Sequence, residues 1–271
     1  MIDLHAHILP GIDDGAQTLA EALKMLTIAE EDGITKLVAT PHLYRGKYQQ
    51  LEALKIKQEL EKLRKAAAQK GLKIDLLSGA EVHITHKLLT EIRRHRVELV
   101  INGSDYLFLE FPSDHVFPGV KNLMFELLSQ RLTPIIAHPE RNAVFLRQPR
   151  LLAELIQMGV LCQVNSGSFL GCYGERIQVG VLNLLKLGLV HFIASDCHNS
   201  ATLPPRLSPA VEIAAEIIGP AAANALVVDN PQAVVENRAI PYYPEPLEPR
   251  ERSRSLKFIW PVFNFFSKKK K

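Results

Sequence analysis

The sequence predicts an α/β protein with a parallel sheet, on three observations. Seven short apolar runs alternate with amphipathic helical stretches. Helix start and stop signals punctuate the stretches between those runs. The chain has 271 residues, 47% of them apolar, which suffices for one large core and excludes wholesale disorder. Seven β/α units favour a barrel over an open sheet, although periodicity by itself leaves the open sheet as the alternative.

The expected strands are 1–4, 36–40, 73–78, 106–111, 134–137, 160–164 and 190–194. Thr18 and Glu21 form a capping box that opens the first helix, and Gly33 stops it. The charged stretch 48–70 reads as a second helix ended by Gly71. Pro149 suits the first turn of a helix closed by Gly159, and Gly188 closes another. Residues 208–237 read as two helices broken at Gly219-Pro220. The barrel is expected over 1–240. Residues 241–256, with four prolines and many charges, read as a linker, and 257–271 as a separate tail.

Charge is unevenly spread. The chain carries 32 Lys and Arg against 29 Asp and Glu. Residues 250–271 hold eight Lys/Arg and one Glu, a net of +7, so residues 1–249 carry 24 − 28 = −4. The body is therefore not a nucleic-acid surface, and the basic character belongs to the tail. Three cysteines, Cys162, Cys172 and Cys197, show no disulfide or zinc-finger spacing. The start MIDLHAHILP has neither the basic nor the apolar region of a signal peptide. No uncharged apolar run approaches the ~18–20 residues needed to span a bilayer, so the cytoplasm is the expected compartment.

The informative residues sit at strand ends. His5 and His7 follow the first strand, with Asp14 in the next loop; His42 follows the second and Glu81 the third. Glu110 ends the fourth, His138 ends the fifth, and Asp196 and His198 follow the seventh. In a β/α barrel those ends open on one face, where active sites form. Singly, each has an ordinary reading: a lone strand-terminal Glu is commonly a salt-bridge partner, and Thr40-Pro41-His42 alone suits a turn. Together, imidazoles and carboxylates crowded at one mouth repel or stay unsatisfied unless cations join them. Nitrogen and oxygen donors suit Mn²⁺, Fe²⁺ or Zn²⁺. There are too many for one ion, so two or three divalent ions are expected, the usual equipment for phosphoester hydrolysis. His83, His86, His95, His115 and His191 lack the strand-end position and are read as structural or surface residues.

The motifs resemble the polymerase-and-histidinol-phosphatase (PHP) superfamily. Asp3-Leu4-His5-Ala6-His7 is similar to its opening D-x-H-x-H motif. The longer stretch from His7 to Ala16 resembles the bacterial PHP-type protein tyrosine phosphatases found with capsule and exopolysaccharide genes. Thr40-Pro41-His42, Gly79-Ala80-Glu81, Ala137-His138-Pro139-Glu140-Arg141 and Ser195-Asp196-Cys197-His198-Asn199 continue the likeness in order. It implies a distorted (β/α)7 TIM-like barrel, the PHP fold, with a metal centre preferring Mn²⁺. Carried over by position, His5, His7, Glu81 and Asp196 hold a first metal. Glu81 bridges to a second, completed by Glu110 and His138, and Asp14, His42 and His198 hold a third. Arg141 corresponds to a phosphate-binding arginine. Arg206 is the nearest candidate for a second, although the segment 200–205 before it is longer than in the family. The implied substrate is a phosphotyrosine-bearing bacterial tyrosine autokinase that controls polysaccharide export.

Two rival readings accompany this one: a small-molecule phosphatase on the same scaffold, with a histidinol-phosphate-like substrate, and a metal-stabilised scaffold without activity. Asp14 and the long first motif weigh against the former; the full donor set and Arg141 weigh against the latter. Cysteine chemistry is not expected, because phosphatases of that kind place Arg six positions after Cys. Here those positions hold Ser168, Gln178 and Leu203. The resemblance does not extend to the tail. Its five aromatics between 258 and 266, flanked by Lys and Arg, suit peripheral contact of 250–271 with an anionic membrane surface.

Overall fold

The computed structural model describes residues 1–48 and 52–247. Its strand segments are β1 (Ile2–Ala6), β2 (Lys36–Ala39), β3 (His42–Leu43), β4 (Asp75–Ser78), β5 (Glu81–His83), β6 (Tyr106–Glu110), β7 (Thr133–Ala137), β8 (Leu161–Asn165) and β9 (Phe192–Ala194). They pair in the orders β1-β2-β4 and β3-β5-β6-β7-β8-β9, every ladder parallel. β2 and β3 are one strand interrupted at Thr40-Pro41, where proline removes a ladder donor. β4 and β5 are one strand interrupted at Gly79-Ala80. A Cβ on Gly79 would lie 2.8 Å from Val38 Cγ1, so only glycine fits that approach.

The nine segments thus make the seven expected strands, and the ring closes. Ala6 bridges Cys197. Asp196 N donates to His5 O at 2.9 Å, and His7 N donates to Cys197 O at 3.0 Å. The structure is the closed barrel, not the open sheet.

Alternation along the strands separates two apolar layers. Leu4, Val38, Leu77, Phe108, Ile135, Leu161 and Phe192 fill the barrel interior. Leu37, Leu76, Leu107, Ile136, Cys162 and Ile193 point outward beneath the helices. The first strand runs to Ala6 instead of ending at Leu4. It carries a bulge, since Asp3 pairs with Leu37 and Ala6 with Ala39, one extra residue on β1. The bulge lets His5 follow Leu4 inward, and its ring lies 5.1 Å from that of Phe108.

The expected helix signals hold, with three differences. The stretch 48–70, read as one helix, is helical over Ala53–Gln69, and Tyr48 instead bridges Arg45. Thr18 caps the helix Leu19–Glu31 by accepting from Glu21 N, but the Glu21 carboxylate accepts from Ser200 N at 2.7 Å instead of returning to the cap. Residues 208–237 form three helices, Ser208–Ile218, Pro220–Ala225 and Asp229–Val235, where two were expected. Pro231 has no N–H to continue the second, so the chain restarts with Pro231 in a first turn. Val227 O, thereby free of the helix, accepts from Ile2 N at 2.8 Å.

The start of the segment read as a linker lies against the barrel. Asn230 Oδ1 accepts from Tyr242 N, Tyr243 Oη donates to Ile156 O, and Leu247 N donates to Leu187 O. The rest of that linker and the whole tail 257–271 lie outside the described residues. Among the described residues no helix is long and apolar enough to cross a membrane.

Candidate metal centre

Strand register brings the expected donors together. His42 pairs with Glu81 across β3 and β5, and His83 pairs with Glu110 across β5 and β6. His7 is held by a loop that folds back on it, with Ala16 N donating to His7 O at 3.0 Å. A Cβ on Gly15 would lie 2.0 Å from that oxygen, so this return requires glycine. His138 and Asp196 leave their strands with φ of 32° and 50°. Such left-handed non-glycine conformations are strained, and here they turn two donors into the mouth.

His7 Nε2 lies 3.2 Å from Asp196 Oδ1 and 3.5 Å from Glu81 Oε2. His5 Nε2 lies 3.5 Å from each of the same two oxygens. Glu81 Oε1 accepts from His138 Nε2 at 2.8 Å. His42 Nδ1 faces Glu81 Oε2 at 2.7 Å, and its Nε2 faces Asp14 Oδ1 at 3.3 Å. His198 Nε2 lies 3.6 Å from the same Asp14 oxygen.

Three donor groups follow, each with its atoms within 4.8 Å of one another: His5, His7 and Glu81; His42, Glu81 and Glu110; and His7, Asp14, His42 and His198. Glu81 is common to two of them, and His138 adjoins both through Glu81. All nine expected donors are therefore part of one constellation.

Residues not singled out in the sequence orient these donors. His7 Nδ1 donates to Asp13 Oδ2 at 2.7 Å. His5 Nδ1 donates to Gln163 Oε1, Gln163 Nε2 donates to Asn165 Oδ1, and Asn165 Nδ2 donates to Asp196 Oδ2 at 2.6 Å. Each ring thus turns Nε2 toward the carboxylates, the arrangement that fixes metal-binding imidazoles. Asp3, buried between strands, accepts from Ser195 N and Oγ. The signals were present in the chain. Asp13 precedes Asp14, and Gln163 and Asn165 alternate in an otherwise apolar strand, so both face the interior of the one strand that contributes no charged donor.

Arg141 joins the constellation. Its Nη1 donates to Asp196 Oδ2 at 2.9 Å, and its guanidinium stands 4.8 Å over the Tyr173 ring. Arg206 is exposed, and no hydrogen bond or ion pair of the donor set involves its side chain. Arg45 does reach the set, with Nη1 3.0 Å from Glu110 Oε1. His83 also touches Glu110 at 3.1 Å. His191 is buried beneath Tyr243, just before β9, and burial pushes it down to about 3.

Charge and burial compete throughout. Burial opposes charging His5, but Glu81 and Asp196 outweigh it and lift it to about 9. His7 is raised well above its ordinary range, as Asp13 overcomes the same burial cost. Glu81 and Asp196 are fully buried, yet the surrounding imidazoles hold both well below the usual carboxylate range. Burial raises Cys162 and Cys197 far above ordinary thiols, so neither is a thiolate nucleophile. Cys197 points into the outer layer, away from the donors on either side of it.

The residues fit divalent cations. Glu81 Oε2 and His42 Nδ1 are buried and make no hydrogen bond despite their closeness. His5 Nε2 and His7 Nε2 face each other at 3.2 Å. Unpaired carboxylate oxygens and convergent imidazole nitrogens in a dry site are what a cation satisfies.

Comparison with known proteins agrees. The profile of the family described as capsular polysaccharide synthesis, CpsB/CapC, matches residues 1–236. Tyrosine-protein phosphatase YwqE of Bacillus subtilis is 31% identical over 259 residues, 96% of this chain and 100% of its own length. CapC of Staphylococcus aureus is 38% identical over 205 residues, covering 75% of this chain and 79% of the relative. A crystal structure from work on YwqE and on CpsB of Streptococcus pneumoniae, described as metal-dependent tyrosine phosphatases, superposes with a TM-score of 0.85. Its sequence identity is 31%, over 92% of this chain and 100% of the other.

Proposed function

The chain belongs to the capsular polysaccharide synthesis family CpsB/CapC, and from that premise we propose that it is a metal-dependent protein tyrosine phosphatase. The observation that carries the reading is the convergence of donors from separate strand ends around the buried, shared carboxylate of Glu81. His5, His7, Glu81 and Asp196 hold one cation in this proposal. Glu81, Glu110 and His138 hold a second with His42 adjacent, and Asp14, His42 and His198 hold a third. The nitrogen and oxygen donor set favours Mn²⁺, with Fe²⁺ or Zn²⁺ as alternatives.

Bound cations supply Lewis acidity, neutralising phosphoryl oxygens and acidifying water for attack on phosphorus. The chain's own residues position the reaction. Asp13 and Gln163 keep His7 and His5 in the tautomer that presents Nε2. Arg141, held by Asp196 and the Tyr173 face, lines a cavity of about 290 Å³ at the mouth with Glu110, His138 and Asn142. Its planar fork suits two parallel bonds to phosphoryl oxygens. Tyrosine is a fair leaving group, with a pKa of about 10, so a dedicated general acid is less needed than for an alkyl ester.

The proposed substrate is a bacterial tyrosine autokinase that regulates capsule or exopolysaccharide synthesis, met in the cytoplasm at the inner membrane face. Contact of residues 250–271 with anionic lipid is part of the same proposal. The test is turnover of a phosphotyrosyl peptide against histidinol phosphate with Mn²⁺ supplied. Preferred turnover of the peptide is expected. Preference for histidinol phosphate would favour the small-molecule reading, and turnover of neither would favour an inactive scaffold.

A further inference from the structure

Arg45 occupies a position that the metal reading leaves unexplained. It follows β3 on a tight turn, where Tyr44 N donates to Tyr48 O and Tyr48 N donates to Arg45 O. Its Nη1 lies 2.8 Å from His42 Nε2 and 3.0 Å from Glu110 Oε1. Both partners belong to the donor set. An arginine carries five donors and no lone pair, so it cannot ligate a cation. A divalent cation on His42 and Glu110 claims the lone pairs that now receive Arg45 and repels its charge.

The side chain is 40% exposed. It lines the same cavity of about 290 Å³ as Arg141, and Arg206 does not. That volume is at the small end of the ~300–1,000 Å³ typical of small-molecule sites. Two guanidiniums on one small cavity, with a cation centre beneath them, match a phosphoryl dianion better than any neutral group.

We propose that Arg45 is a substrate-contacting residue: its guanidinium leaves His42 and Glu110 when the donor set takes up cations, and then binds the phosphoryl group beside Arg141. The proposal rests on the phosphatase reading above. A plain structural role, an ion pair that holds Glu110 in place, predicts a different result, because losing Arg45 would then loosen the metal site.

The experiment uses full-length protein loaded with Mn²⁺, comparing wild type, Arg45→Ala and Arg45→Lys. Three quantities are measured: Mn²⁺ content by elemental analysis, inorganic phosphate affinity by calorimetry, and kcat/KM on a phosphotyrosyl peptide. Arg45→Ala is expected to keep its Mn²⁺ and to lose roughly 10–100-fold in both phosphate affinity and kcat/KM, the loss expected for a charge-assisted contact. Arg45→Lys should recover part of that loss. In metal-free protein, Arg45→Ala should bind Mn²⁺ no more weakly than wild type, because a competing cation is gone. Unchanged phosphate affinity would overturn the proposal, and so would a fall in Mn²⁺ content that accounts for the lost binding. If wild type binds phosphate but leaves the peptide intact, the phosphatase reading fails, and Arg45 is judged on the phosphate isotherms alone.

Discussion

The barrel interior has two halves of opposite character. Toward the strand starts it holds Leu4, Val38, Leu77, Phe108, Ile135, Leu161 and Phe192, which satisfy one another by packing. Toward the strand ends it holds His5, His7, Glu81, Gln163 and Asp196, equally buried and polar throughout. The same strands build both halves, and the boundary on β1 falls between consecutive residues Leu4 and His5 at the bulge. Burial therefore does not separate core from site. What separates them is whether the buried groups can satisfy each other. The apolar half should govern folding stability, and the polar half should govern cation binding and turnover.

The substitution with the largest expected effect acts on the polar half alone. Glu81 belongs to two donor groups. Glu81→Ala should disturb both, lowering kcat/KM by roughly 10³-fold or more, equivalent to about 4 kcal/mol of lost charge stabilisation. Metal content per chain should fall with it. Undiminished metal content would remove Glu81 from its bridging role.

Phe108→Ala tests the apolar half from directly below. Phe108 is fully buried, and its ring lies 5.1 Å from that of His5, tilted by 41°. Removing the ring should cost about 3–5 kcal/mol of stability, read as a lowered midpoint in denaturant. Well below that midpoint, metal content should remain close to wild type. Equal losses of stability and metal would show that the halves are not separable.

Arg141→Ala sharpens the division within the mouth. Arginine cannot hold a cation, so the variant should retain metal and fold. It should lose about 2–4 kcal/mol of transition-state stabilisation. Unchanged kcat/KM would reduce Arg141 to a structural partner of Asp196 and Tyr173.

The two halves also differ in how legible they were from sequence. The apolar half could be read from the seven short runs, because parallel strands buried on both faces are continuous in apolar residues. The candidate donors could be read because imidazoles and carboxylates gathered at apolar strand ends are costly to bury unless cations pair with them. The orienting residues could not be read as easily. Gln163 supports His5 across 158 positions, and amides in a strand announce no charge. Arg141 and, as a second, Arg206 were the arginines expected at the mouth; Arg141 is joined to Asp196, and Arg45, which was not expected, reaches Glu110. Arg45 reaches it through a turn with positive φ at Tyr44 and Gly46, a backbone path that residue spacing does not reveal. The bulge in β1 was similarly hidden, since strict alternation places Leu4 and His5 on opposite faces.

A smaller effect concerns pH. His5 is lifted to about 9 in the metal-free protein, with Glu81 and Asp196 overcoming burial. Its stabilising charge is fully present below the ordinary imidazole value of about 6.5 and is lost as pH rises through about 9. Ligation needs the neutral ring, so metal uptake releases the proton. Apparent Mn²⁺ affinity should therefore rise with pH toward 9, by up to about tenfold per unit for this one proton. Isotherms measured across that range check the sign, and a flat profile would mean that His5 is already neutral.

The smallest expected effect is none. Cys172 is exposed and outside both halves. Cys172→Ser should match wild type in metal content, midpoint and turnover, and an inactive variant would reopen a thiol mechanism.

The central claim is that the polar half does its chemistry through bound cations. The most direct measurement is phosphotyrosyl-peptide turnover by chelated protein whose metal content has been checked by elemental analysis, before and after Mn²⁺ is returned. The account predicts activity at background in the stripped protein, restored in proportion to Mn²⁺ bound per chain. Full turnover by protein verified to be free of metal would contradict it.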